Sequence, residues 1–304
     1  MGHNVTIAFV IHDSGTALSD MSDYSQRFLF DKTDIRGDMV HLDQSYLAIA
    51  DRYPPAVAKL LGQFLSASVL LGSTIKFDGR LVLQARGAGE LKLVVAECRF
   101  NGDIRGVARL NGDVASDDFS ALLGAGTLVM TIESASGQSY QSLVPLSGGN
   151  LAACLEFYFL QSEQLETRIW LSSDLQRAGG LLLQQLPRQL VMDPIARAQQ
   201  WEHVTILAAT TSPEELLDLA PAELLQRLYV EDPARLTDLK PIQFQCSCTP
   251  ARTANALVLL GQDEVDELFE ELPEVVMDCE FCGHQYTFTK DSLAEILRAG
   301  EVSH

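Results

Sequence analysis

Four of the chain's six cysteines lie beyond residue 245, as Cys246-Ser-Cys248 and Cys279-Glu-Phe-Cys282-Gly283. Thiolates two or three positions apart can bind one ion from a single turn. Two such pairs complete a tetrahedron, the arrangement of closed structural zinc sites. Gly283 lets the backbone fold back over a metal, because glycine takes the required turn without steric cost. The spacing therefore predicts one Zn2+ per chain, held by Cys246, Cys248, Cys279 and Cys282. Four sulfur ligands leave no open position for water, so catalytic zinc is disfavoured and the chain reads as a non-enzyme. His284 is adjacent and could replace one thiolate, although four cysteines suffice. A thioredoxin-like site is less favoured, since Cys-x-x-Cys there belongs to a βαβ pattern. Cys98 and Cys154 lie inside apolar runs and read as small core residues.

The elements that must position these thiols are strands. Ile242 and Phe244 alternate before the first pair, and Tyr286 and Phe288 alternate after the second, so each pair is expected at a strand end. Between the pairs, Asp263, Glu264, Asp266, Glu267, Glu270, Glu271, Glu274 and Asp278 accumulate. They read as the solvated face of a helix whose apolar side is Val265, Leu268, Phe269 and Leu272. Nucleic-acid-binding zinc ribbons need basic surface near the metal, and this one is anionic.

The whole chain shares that bias. It has 304 residues, 41 acids against 22 bases and a net charge of −19. A polyanion partner needs clustered Lys and Arg, so nucleic acid is not expected. With 47% hydrophobic and 21% charged residues, the chain is of ordinary globular composition. No apolar run reaches the roughly 18 residues of a membrane span. No Lys or Arg precedes Val5–Ile11, so no signal peptide is read and a cytoplasmic, membrane-free protein is expected. Gly2 with Thr6 matches a loose myristoylation pattern, but Val5, Ile7, Phe9 and Ile11 alternate like one face of a strand. No Walker loop, G-x-S-x-G elbow or His-Glu-x-x-His occurs, so ATP dependence has no support. His12, His41 and His203 are isolated and read as structural.

Residues 1–190 read as a mixed sheet-and-helix domain. Arg27–Phe30 and Asp38–Leu42 are short strand candidates separated by Arg36-Gly37. Pro54-Pro55 opens a helix through Val57, Leu60, Leu61, Phe64 and Leu65, with Gly72 at its end. Leu81, Leu83 and Ala85 return to period two. Gly87–Leu91 and Gly124–Leu128 then lead two similar pieces, with turns at Asn101-Gly102 and Ser136-Gly137. These are expected to be two hairpins of one antiparallel sheet. A helix is expected over Leu151–Gln164 and a strand over Arg168–Ser172. Residues 191–240 read as a linker of short capped helices, starting at Asp193-Pro194, Ser212-Pro213 and Pro221. Residues 241–304 form the small C-terminal four-cysteine zinc domain. The fold class is α+β.

Beyond the cysteines, Arg36-Gly37, Ala96-Glu97-Cys98 with Arg105-Gly106, Thr131-Ile132-Glu133, Val144-Pro145-Leu146, Gln161–Leu165 with Thr167-Arg168-Ile169, and Ala178-Gly179-Gly180 occur in order. Together they resemble the 33 kDa redox-regulated heat-shock chaperone family of bacterial holdases, over nearly the whole chain. One departure is Thr249-Pro250-Ala251, where the family pattern is more polar. The resemblance implies an ATP-independent chaperone, zinc-bound and inactive when reduced. Oxidation would form Cys246–Cys248 and Cys279–Cys282, release zinc and unfold the linker. The protein would then dimerise and hold unfolding client proteins. Leu181–Leu183 and Leu190–Met192 are the expected client-binding stretches. The competing readings are a zinc-ribbon interaction module with constitutive zinc and a thiol–disulfide oxidoreductase.

Overall fold

The computed structural model describes residues 22–75 and 78–301. The alternating stretch before His12, and the pattern at Gly2, lie outside the described residues. Contacts divide the chain into two units, Met1–Phe244 and Gln245–His304.

The first unit opens with a hairpin of β1 (Tyr24–Phe30) and β2 (Ile35–Leu42), then α1 (Gln44–Ala50) and the long helix α2 (Pro55–Thr74). Arg36-Gly37 lies inside β2 and is not the turn. Gly37 is there for space: a Cβ would fall 2.0 Å from the Phe28 ring. Arg36 donates to the Thr74 carbonyl at 3.2 Å and to Gln184 at 2.6 Å. It thus satisfies the C-terminus of α2, where a cation also suits the helix dipole. Helix α2 runs two residues past Gly72. By length and composition it could cross a membrane, but its middle is buried on all sides, which marks a core helix.

The remaining strands are β3 (Arg80–Gly87), β4 (Leu91–Arg99), β5 (Asp103–Leu110), β6 (Gly126–Glu133), β7 (Ser139–Pro145), β8 (Thr167–Ser173) and β9 (Ala178–Gln185). Short helices α3 (Phe119–Leu123) and α4 (Leu151–Tyr158) interrupt them, α4 running into a wider turn at Phe159–Glu163. The two expected hairpins form, β4–β5 around Gly102 and β6–β7 around Gly137. They flank β3 in one sheet, in the order β5-β4-β3-β6-β7. The other sheet runs β1-β2-β9-β8. Residues of α2 and of both sheets share one core, so the helix lies between the sheets.

Helices α5 (Pro194–Ala208), α6 (Pro213–Asp218) and α7 (Pro221–Leu228) cover the opposite face of the β1-β2-β9-β8 sheet. They start where the caps predict. Asp193 accepts from Ile195 and Ala196, and Ser212 with Glu215 forms a full capping box. Strand β9 explains its leucines: Leu182 joins the central core, while Leu181 and Leu183 lie under these helices with Phe28, Phe30 and Met39. Leu190 and Met192, by contrast, are already 65% and 66% exposed. After α7 the chain returns as β10 (Ala234–Leu236), β11 (Lys240–Pro241) and β12 (Gln243–Phe244).

Asp34, buried in the β1–β2 turn, ties down the start of this helical region. It accepts N–H groups of Gln189, Leu190 and Val191 at 3.2, 2.9 and 3.1 Å, and Arg197 Nη1 at 3.1 Å. Burial alone would raise its pKa, but the three N–H donors and Arg197 together hold it below the ordinary carboxylate range. A pKa lowered by folding stabilises fully above the unfolded value of about 3.9 and is lost as pH falls through the folded one. Residues 189–197 are therefore expected to loosen in acid below about pH 4. Asp34→Asn is expected to lower amide protection at Leu190 and Val191 roughly tenfold or more at neutral pH and to abolish the acid step. Site-resolved hydrogen exchange checks both; unchanged protection in the variant would remove Asp34 from this role.

The second unit holds α8 (Pro250–Val258), α9 (Gln262–Glu271), the hairpin β13 (Val275–Asp278) and β14 (Gln285–Phe288), and α10 (Lys290–Glu301). Its core is small: among the described residues, Ala254, Leu257, Val265, Phe288 and Leu293 are buried. The acids from Asp263 to Glu271 lie on α9 as expected, with Leu268 and Phe269 half-buried, but Glu274 follows the helix, Asp278 ends β13, and Leu272 is 48% exposed. Lys290 pairs with Asp266 at 2.7 Å.

Candidate metal centre

The second cysteine pair sits on the β13–β14 turn. The Cys279 N–H donates to the His284 carbonyl at 2.9 Å, and the Gly283 N–H returns to the Cys279 carbonyl at 2.7 Å. Gly283 has φ +71°, the left-handed conformation that lets this turn close. The first pair directly precedes α8. Thr249 caps that helix by accepting the Arg252 N–H at 3.2 Å, and Pro250 occupies its first turn. Arg252 reaches back to the Ser247 carbonyl and hydroxyl at 2.8 and 2.9 Å, fixing the loop between the two thiols. The departure at Thr249-Pro250-Ala251 is thus a helix start, and it displaces no donor.

These supports bring all four thiols to one point. Cys246 and Cys279 sulfurs are 3.7 Å apart, Cys248 and Cys282 sulfurs 3.5 Å, and all four lie within 4.8 Å of one another. A disulfide would need about 2.05 Å, and all four are free and half-buried. Four sulfurs about 2.3 Å from a tetrahedral zinc are separated by about 3.8 Å, so the spacing fits a metal ion. The donor set agrees with soft thiolate preference.

The thiols are not equivalent. The Tyr286 hydroxyl donates to the Cys248 sulfur at 3.2 Å, and that bond lowers the Cys248 pKa to about 7. Burial pushes Cys282 up to about 12 and also raises Cys246. Cys248 is the thiol readiest to ionise near neutrality. Tyr286 is the residue that the spacing argument missed; its strand periodicity was visible, but not the sulfur beneath its hydroxyl. His284 is exposed, packs edge-on to Tyr286 with ring centres 4.6 Å apart, and is not one of the four donors.

The other candidates fall elsewhere. Cys98 and Cys154 are buried in the central core, at 4% and 1% exposure. Burial lifts the Cys98 thiol to about 12, which leaves it protonated and slow. His41 pairs with Asp43 at 3.1 Å and stacks on Tyr24, and His203 pairs with Asp232 at 2.7 Å. His12 lies outside the described residues.

The Hsp33 protein family model matches residues 23–289. The 33 kDa chaperonin of Pseudomonas paraeruginosa is 47% identical over 280 residues, covering 90% of this chain and 94% of that protein. That of Azotobacter vinelandii is 45% identical over 283 residues, covering 91% and 95%. The crystal structure of the 33 kDa chaperonin from Thermotoga maritima superposes with a TM-score of 0.77 at 21% identity. It covers 92% of this chain and 99% of that one, a likeness of fold.

Proposed function

The chain belongs to the Hsp33 family, and from that premise we propose that it is a redox-regulated, ATP-independent holdase of the cytoplasm. The observation that carries the reading is the convergence of four free thiols in a unit with only a small apolar core. Cys246, Cys248, Cys279 and Cys282 would hold one Zn2+ in the reduced state. When bound, the ion supplies cross-linking: structural zinc contributes roughly 10–16 kcal/mol of apparent binding free energy, which is folding free energy for so small a domain.

Oxidation removes the donors. Each disulfide forms from two thiols, with peroxide reduced to water. Cys246–Cys248 and Cys279–Cys282 are the proposed pairs, as the family resemblance implies. Close sequence spacing favours them once the unit opens, because short loops close at the least entropic cost. Residues 191–240 would follow as a releasable linker. Helix α5 buries only Val204 and Ala208 fully, so its hold on the sheet is weak. Its loss with α6 and α7 would bare Phe28, Phe30, Met39, Leu181 and Leu183 to unfolding client proteins and to a second copy. Leu190 and Met192 are exposed without any switch, so they add apolar surface but not regulation.

The test is zinc content and suppression of client aggregation, before and after peroxide with mild heating. A holdase switch loses zinc and gains activity. A constitutive zinc-ribbon module loses both metal and function, and that result would replace this reading. The Tyr286 bond gives a finer check. Removing an outer partner of a metal ligand typically weakens affinity about ten- to a hundredfold. Tyr286→Phe is therefore expected to weaken zinc binding by roughly tenfold, measured by competition with a chromogenic chelator.

A further inference from the structure

We infer that residues 234–244 are a removable cover, and that the two strand edges beneath them bind extended, unfolded polypeptide by strand addition. Strands β10 and β11 lie antiparallel on β1, with Phe28 opposite Leu236, Phe30 opposite Ala234 and Tyr24 opposite Pro241. Strand β12 lies parallel on β5, with Gln243 opposite Asp103 and Phe244 opposite Ile104. Without this segment, β1 and β5 would be the outer strands of the two sheets. One short stretch therefore closes an edge of each, and a bare edge is a template for any extended chain.

The resident segment shows what fits. Its backbone is tied along both edges: Asp31 N–H to the Pro233 carbonyl at 3.2 Å, Thr237 N–H to Arg27 at 2.8 Å and Gln243 N–H to Gly102 at 3.1 Å, with side-chain bonds added by Arg235 to Asp31 and by Gln243 to Asp103. The two backbones approach so closely at Gly102 that a Cβ there would lie 2.3 Å from the Pro241 carbonyl oxygen. Side chains alternate. Ala234 and Leu236 are half-buried around an exposed Arg235; Ile242 and Phe244 face the central core around an exposed Gln243. The edges thus accept an extended chain with apolar residues at every second position, its polar residues turned outward. That is the chemistry of an unfolding protein.

The cover is also built to leave. Its paired runs are three, two and two residues long, and it leads straight into Cys246. This inference rests on the holdase reading, in which unfolding of 245–304 frees the cover's C-terminal end.

The full-length protein, oxidised with peroxide at mild heat, is tested with reduced, carboxymethylated lactalbumin, which stays unfolded. Hydrogen exchange is expected to show the outward amides of β1 and β5 losing protection on activation and regaining it roughly tenfold on adding lactalbumin. Lactalbumin bound while those amides exchange as in its absence would overturn the inference and leave the holdase reading standing. Protection that returns with chaperone concentration alone would assign the edges to a second copy, and so overturn the choice of occupant. No zinc loss and no suppression of aggregation would sink both readings. A peptide matching residues 232–245 is expected to compete with lactalbumin. The same peptide N-methylated at Thr237 and Gln243 keeps its side chains but loses those donors, and is expected to compete roughly tenfold more weakly. Equal competition would overturn strand addition.

Discussion

Cys282→Ser is expected to lose its zinc and, with it, the fold of residues 245–304. Three thiolates and a hydroxyl cannot form the cage, because a serine oxygen stays protonated where the thiols ionise. The unit has little else to hold it. Among the described residues, Ala254, Leu257, Val265, Phe288 and Leu293 are buried, and its acids repel one another. Domains this small are rarely secure on apolar contacts alone. Against a zinc contribution of roughly 10–16 kcal/mol, no remaining term is comparable. Metal analysis per chain, with exchange protection of β13 and β14, reads the outcome. One zinc per chain in the variant would refute the assignment. Replacing Cys98 and Cys154 with Ala is expected to leave zinc and oxidative activation intact, since both thiols are buried core groups.

The second large effect is expected in the oxidised, zinc-free protein. Protection should fall roughly a thousandfold beyond about residue 190, equivalent to about 4 kcal/mol of local stability, while the β6–β7 hairpin and the amides that pair β4 with β5 keep theirs. The hairpins share the central core with α2, and that core is independent of α5–α7. Helices α6 and α7 have six and eight residues, too short to persist in water without packing. Helix α5 is longer, but only two of its side chains are fully buried, and Arg197, through Asp34, Gln185 and Leu186, ties it to the sheet near its N-terminus. Full protection of 191–244 alongside holdase activity would place the client site elsewhere.

What the chain discloses in one dimension is what is local. The cysteine spacing places four donors because each pair acts within one turn. Asn101-Gly102 and Ser136-Gly137 mark hairpins because their turns need glycine at positive φ, +90° at Gly102 and +83° at Gly137. Caps mark α5 and α6 because their bonds span three residues. What stayed hidden depends on distant partners. Helix α1 lacks a side-chain cap of its own at Asp43; its first N–H groups go to Asp23, some 20 residues away. Arg36-Gly37 reads as a turn until the Phe28 ring is seen over it. Asp34 meets its donors across more than 150 residues, and the strands of 234–244 are too short to show any period.

The pairing of β1 with β10 joins chain segments more than 200 residues apart, as the Gln26–Thr237 bond illustrates. That separation has a consequence for synthesis. A ribosome delivers β1 and β5 long before it delivers residues 234–244, and contacts so distant in sequence form late. Every new molecule must therefore pass through a stage with its sheets complete and both outer strands bare. The nascent chain is born in the arrangement proposed here for the stressed cell, and is silenced only when its own last quarter arrives. On the proposed reading, shut-off would be the final step of maturation, and oxidation would run that step in reverse.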